Sequence, residues 1–339
     1  MRSSSVVVAA LLVVGCSGNS VDSGSDAGAG ADAQVVVDDG GNVVVIDSAV
    51  VNPPVDGSVV IPVDSGIITG PRRDQVCMRW KSDRADTSEG TFAGNIAMCV
   101  PGENSATGKA NALKLINLYR FIADLPPVTE SAALSTKAQQ CSLMMDANNA
   151  LSHTPPTTWM CYTAGGAEAA GKSNISTTAG VQAIDLYMND RGNATTMGHR
   201  RWLLSNSLGP VGLGSAPGGS CAWVIGGTGS AGKAWRAWPA PGPFPFAAMS
   251  QGGFGMTLDV TGWTVQSDSI NLGAATVTVT EGGVNRPVTV TQLGANYGSR
   301  YAIRFVASGW TSAAGKTYHV VVGGVSTAIA YDVEMVACP

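Results

Sequence analysis

Three stretches of helical period occupy the middle of the chain, and period-two alternation fills its C-terminal third. "NALKLINLYRFIADLPPV" is apolar at Leu113, Leu115, Ile116, Leu118, Tyr119, Phe121 and Ile122, nearly all the way round. It predicts a helix covered on more than one side, stopped by Pro126 and Pro127. "TESAALSTKAQQCSLMMDANN" puts Leu134, Ala138, Cys141, Met145 and Asn148 on one helical stripe. "TTAGVQAIDLYMND" puts Val181, Ile184 and Met188 on one face, with Thr178 as the expected N-cap. After about Cys221 the texture changes. "ATVTVTEGGVNRPVTVTQL" alternates on both sides of Gly282-Gly283, a hairpin signal. "RYAIRFVASG" and "TYHVVVGGVSTAIAYDVEMVAC" continue the alternation, and several short strands in about 100 residues predict a sandwich-like all-β arrangement. The predicted class is α+β: a helix-rich region over 106–233 and a small β-sandwich-like domain over 234–339. Residues 71–105, bounded by Cys77 and Cys99, read as an irregular extension.

The N-terminus follows other rules. Arg2 precedes an apolar run from Val6 to Val14, which is too short to span a hydrocarbon core needing about 20 residues. Residues 1–15 therefore read as an export signal. The run ends in "VVGC", which resembles the lipobox of bacterial lipoproteins, so Cys16 is the expected lipidation site. Residues 16–70 carry eight aspartates, no lysine or arginine and no aromatic residue. Such a segment cannot bury enough surface to offset its ordering entropy, and it reads as an acidic disordered tether. From Pro71 on the chain is nearly neutral, with 19 basic against 16 acidic residues. It therefore lacks the basic surface that a nucleic-acid partner requires.

Seven cysteines are awkward for an exported chain. Assigning Cys16 to lipid leaves six, which outside the reducing cytosol suggest three disulfides with fifteen connectivities. Short loops favour the sequential set Cys77–Cys99, Cys141–Cys161 and Cys221–Cys338.

Candidate chemistry concentrates around two of the three histidines. His153 follows the second helix in "NNALSHTPP"; Glu168 and Ser173 stand in "GGAEAAGKSNIS"; Asp190 ends the third helix, and His199 follows in "GHRRWLL". Two histidines with oxygen side chains over such a span fit a metal site or an acid/base cluster. Arg200 and Arg201 cannot share one face with His199. One is expected to pair with a carboxylate such as Asp190 while the other faces solvent, and their charge is expected to lower the His199 pKa. His319, in "TYHVVV", reads as structural. "GTGSAGKA" has Ala where a phosphate loop needs Ser or Thr, and neither HExxH nor GxSxG occurs. The eight tryptophans are scattered and read mainly as packing.

At these residues the chain resembles a known family. "INLYRFIADLPPV", "AQQCSLMMDANNALSH", "SNIS", "AIDLYMND" and "GHRRWLL" occur in the order seen in the CAP superfamily of cysteine-rich secretory, antigen 5 and pathogenesis-related class 1 proteins. The resemblance covers roughly residues 108–227. It implies an α-β-α sandwich with a cleft that holds two histidines and two acids. His153 and His199 match the family histidines, and Asp190 matches the acid that ends the helix before the second. The family's other acid precedes Asn-Ile or Asn-Leu, and here that position is Ser173. Either Ser173 replaces the carboxylate or Glu168 reaches the site from upstream.

The resemblance thus implies a binding cleft of His153, Glu168, Ser173, Asp190 and His199, with His153 and His199 as ligands for a divalent metal such as zinc. The expected protein is lipid-anchored at the bacterial cell envelope, at the outer membrane or cell surface. It acts there as a non-catalytic module for a metal, lipid, sterol or glycan. Two rivals stand beside it: a metal-dependent hydrolase or protease using His153, His199 and Asp190, and a structural or adhesive envelope protein.

Overall fold

In the computed structural model, residues 72–339 are described in full, together with the backbone of two short strands, β1 (Gln34–Val37) and β2 (Val43–Ile46). These two pair antiparallel. The expected signal segment and Cys16 lie outside the described residues, as does the tether apart from this strand pair.

Helix α1 (Arg72–Asp83) occupies the start of the segment expected to be irregular. Its signal is weak in the sequence because only Val76 and Trp80, one turn apart, supply a buried apolar face. Helix α2 (Ala106–Ile122) starts at Ser105, whose side chain accepts from the Gly108 N–H at 2.9 Å. It is buried nearly all round, as its pattern predicts. Helix α3 (Ala132–Asn148) and the short α4 (Ala164–Ala170) pack together. They cover one three-stranded sheet, in the order β3 (Ser173–Ser176), β5 (Gly219–Trp223), β4 (Gly212–Ala216). A Cβ on Gly214 would stand 2.1 Å from the Ala138 carbonyl oxygen. The sheet therefore meets the helix backbone directly at that point, which only glycine permits. Helix α5 (Gly180–Asn189) packs against α2 and also against β4 and β5.

Thr178 does not cap α5. The N-cap residue is Ala179, and the free N–H groups of Val181 and Gln182 donate to the two Glu89 oxygens at 2.9 Å each. A distant carboxylate thus does the work expected of a neighbouring hydroxyl, with the sign that a helix N-terminus favours. Helix α6 (Gly198–Leu203) follows α5.

The rest of the chain is β-rich. It comprises β6 (Trp235–Trp238), β7 (Gly242–Pro245), a four-residue helix α7 (Leu258–Thr261), β8 (Trp263–Ser267), β9 (Thr276–Glu281), β10 (Val284–Asn285), β11 (Val288–Gln292), β12 (Tyr301–Ala307), β13 (Thr317–Gly323) and β14 (Ile329–Val336). They form two sheets, β10-β9-β13-β14-β7 and β11-β12-β8-β6, antiparallel throughout except where β7 joins β14. The Gly282-Gly283 turn exists, with both glycines at positive φ. The hairpin lasts only two residue pairs, however, because the chain leaves for the other sheet around Pro287, which has no N–H to donate. Trp263 on β8 meets Tyr318 on β13 edge to face, their ring centroids 5.9 Å apart, so the two sheets share one aromatic core. A single buried apolar cluster runs from Val76 and Leu115 through Ile184 and Leu203 to Phe244, Val265, Val320 and Met335.

The disulfide pairing differs from the sequential expectation. Three bridges form, Cys77–Cys338, Cys99–Cys161 and Cys141–Cys221. Loop length misled because topology decides proximity. Helix α1 lies against β7, β7 pairs with β14, and Cys338 follows β14 directly. Cys141 likewise faces the sheet from α3 and meets Cys221 on β5. In the chain-entropy treatment the longer loops constrain the unfolded chain more, at about 4–5 kcal/mol for closures near 100 residues. Non-reducing peptide mapping should recover these three bridged peptides and no Cys77–Cys99 species.

Candidate functional site

The expected cleft residues separate into two groups. Asp190 and His199 come together; Glu168 leaves. Asp190 is the C-cap of α5, in the left-handed region at φ 57°. That turn points its carboxylate back under α6. His199 Nδ1 donates to Asp190 Oδ1 at 2.8 Å, and a carboxylate that only accepts fixes the proton on Nδ1. Asp190 also accepts from Asn193 Nδ2 at 3.1 Å and from the Arg200 N–H at 3.2 Å. Three donors compensate a carboxylate whose side chain has 0 % exposure. The imidazole keeps 30 % exposure and lies against the Tyr187 ring, centroids 5.2 Å apart. Tyr187 in turn donates to the Asn174 carbonyl at 3.0 Å, and Asn174 Nδ2 donates to the His199 carbonyl at 3.0 Å. Helix α5, strand β3 and helix α6 thereby hold one ring in one orientation, with its Nε2 left without a partner among the described residues.

Burial alone would lower the His199 pKa. The Asp190 charge and hydrogen bond together outweigh it, and the net shift is upward from 6.5. The expected lowering by Arg200 and Arg201 does not occur. Neither arginine reaches solvent, and neither guanidinium pairs with Asp190. Arg200 donates to the carbonyls of Met188 (2.7 Å), Asn189 (2.8 Å) and Gly262 (2.7 Å). Arg201 donates to those of Thr196 (2.8 Å), Gly294 (2.7 Å) and Ser299 (3.0 Å). Burial pushes both guanidinium pKa values down to about 10, which leaves them charged at neutral pH. Nothing in the residue order signals this carbonyl-binding role. Tyr187 was within reach of sequence reasoning, lying one turn before Asp190 and so on the same helical face.

His153 stands on the exposed segment after α3 and hydrogen-bonds through Nδ1 to the Ala170 carbonyl at 2.8 Å. Glu168, on α4, pairs with Lys137 at 2.7 Å and faces solvent. It does not fill the fourth cleft position. Ser173, the first residue of β3, is buried, and its hydroxyl has no hydrogen-bond partner. No hydrogen bond or ion pair joins His153 to His199, Asp190 or Ser173 among the described residues. No three His, Cys, Asp or Glu side chains among them lie so as to hold a metal ion. A neutral hydroxyl at the acid position and a glutamate engaged by lysine make a poor donor set for a divalent cation. The residues present do not fit a zinc centre. His319, on β13, forms an exposed pair with Asp332 at 2.7 Å.

The acid-oriented imidazole thus belongs to a helix-covered three-stranded antiparallel sheet that the Cys141–Cys221 disulfide ties to α3. Residues 113–225 match the sequence model of the cysteine-rich secretory protein family, CAP, so this third of the chain is similar to a CAP domain. CAP domains are extracellular modules, and three disulfides fit that setting. Comparison with curated proteins and with solved structures gives no match.

Two outcomes follow from the Arg200 and Asp190 geometry. Arg200→Met leaves three buried carbonyls without donors, so its urea midpoint should fall by the equivalent of about 3 kcal/mol or more, at about 1–3 kcal/mol per orphaned group. Because the folded His199 pKa is raised, its contribution to stability is full below about 6.5 and is lost as pH rises through the folded value. Asp190→Asn removes the raising partner, so NMR titration should show the His199 midpoint moving down; an unmoved midpoint would exclude Asp190 as the cause.

Proposed function

We propose that this chain is a non-catalytic binding module, exported and anchored to the bacterial cell envelope through lipid on Cys16. The division into a signal segment, a tether, a CAP region and a C-terminal β region is part of this reading. The carrying observation is that the acid-oriented His199 ring has neither a partnered nucleophile nor a second carboxylate beside it among the described residues. His199 Nδ1 is held by Asp190 and His153 Nδ1 by Ala170. Glu168 is held by Lys137, and the remaining acid position is the neutral Ser173. No serine, threonine or cysteine side chain hydrogen-bonds to either imidazole among the described residues, so no partnered nucleophile stands beside a base. What His199 offers a ligand is a fixed, partly exposed ring whose Nε2 has no partner among the described residues, suited to hydrogen-bonding a lipid, sterol or glycan group.

The purified protein should turn over casein and p-nitrophenyl esters no faster than His199→Ala. Turnover that disappears in His199→Ala would overturn the non-catalytic reading in favour of hydrolysis. Separately, Cys16→Ser should release the protein from the membrane fraction or leave an unprocessed precursor; fractionation unchanged from wild type would remove the anchor.

A further inference from the structure

Two loops of the β-rich region bracket the connection between α5 and α6, the segment that carries Asp190 and leads into His199. On one side the Gly294 N–H donates to the Thr195 carbonyl at 2.9 Å. Arg201 Nη1 ties the Thr196 and Gly294 carbonyls together at 2.8 and 2.7 Å. The Tyr297 ring lies on the backbone of Gly198, the residue before His199: a Cβ there would stand 3.0 Å from the ring's Cδ1. On the other side Asn189 Nδ2 donates to the Met256 carbonyl at 3.2 Å. Arg191, next to Asp190, holds its guanidinium 5.6 Å from the centre of the Phe254 ring.

Each loop therefore sets one aromatic side chain in solvent beside the α5–α6 connection. Phe254 is 65 % exposed and Tyr297 43 % exposed. Among the described residues these are the only aromatic members of the exposed large hydrophobics, while Trp238 and Trp263 are buried.

Cations outnumber carboxylates around this face. Arg191 is exposed. Behind it Arg120, Arg200 and Arg201 are buried and bonded mainly to carbonyls, which do not neutralise them, while Arg236 pairs with Asp268 at 2.8 Å. Asp190, bonded to His199, is the other carboxylate among these residues. Buried cations in a low-dielectric body project a positive potential onto the adjoining surface.

We propose that the His199 face and the two β-region loops form one composite site for an acidic glycan, with Tyr297 and Phe254 stacking on sugar rings, Arg191 meeting the carboxylates and His199 Nε2 accepting from a sugar hydroxyl. This rests on the binding-module reading above and names its ligand. A pyranose presents a flat C–H face to an aromatic ring and hydroxyls to the exposed Thr195. An acidic peptide would use the charges but not two flat platforms.

The test uses the full chain and titration calorimetry with three probes: polygalacturonate, its fully methyl-esterified form, and poly-glutamate. Polygalacturonate should bind, and the esterified form, with the same sugar but no charge, should not. Tyr297→Leu keeps bulk over Gly198 but removes the flat ring, and should weaken polygalacturonate about five- to tenfold. Tyr297→Phe should bind as wild type, and Arg191→Gln should weaken binding. Equal thermal transitions in the variants would separate loss of binding from loss of fold. Should Tyr297→Leu not fold, Phe254→Leu, on the other loop, takes its place with the same expected loss. Failure of polygalacturonate to bind, undiminished binding in the ring-deleted variant, or equal binding of poly-glutamate would each overturn the composite glycan site. None of these outcomes touches the non-catalytic reading. Conversely, His199-dependent turnover of the polymer would overturn that reading and leave the composite site in place.

Discussion

The short helix α6 is held by guanidinium groups, and the rest of the site depends on that arrangement. A six-residue helix cannot satisfy its own last carbonyls. Arg120 supplies donors to the carbonyls of Leu203 and Ser205, Arg236 to that of Leu204, and Gln266 to those of Arg201 and Leu204. Positive side chains at a helix C-terminus also oppose its partial negative charge. Arg200 and Arg201 extend the same chemistry outward, to α5 on one flank and to the β-rich region on the other. Five donors in a planar fork suit arginine to this task, and lysine could not span two carbonyls in the same way.

The His199 site inherits its rigidity from that frame. The N–H of Arg200 donates to Asp190, while the Arg200 side chain fixes the carbonyls of Met188 and Asn189 just before it. Asp190 is therefore bound from both ends of one residue, and the imidazole it orients has little freedom left. Removing the frame would change the position of the carboxylate before it changed the histidine itself. A mutation in the β-rich region can reach His199 through Gly262 or Gly294, although neither touches the ring.

The α+β class, the three central helices and the alternating C-terminal strands were legible because each rests on a local period. The meeting of His199 with Asp190 was legible from the family order. What the sequence hid depends on distance along the chain. Glu89 caps α5 from some ninety residues away, so Thr178 looked like the better cap. Cys77 meets Cys338 because three elements stack between the chain's ends, which no loop-length rule can anticipate. The adjacent arginines read as one ion pair and one surface charge, since a sequence shows charges but not carbonyls. Helix α1 was missed because so polar a stretch offers only two buried apolar side chains.

The Cys77–Cys338 bridge closes almost the entire described body into a covalent ring, with a sequence separation of 261. Cutting a ring once does not divide it. A protease that nicks any single surface loop between these cysteines leaves both new ends on the same molecule, held by the bridge and by the sheets on either side. The two shorter bridges subdivide the ring, so several second cuts would also release nothing. Outside the cell, where proteases are abundant and no refolding machinery is at hand, the backbone can be broken without the fold losing any of its parts.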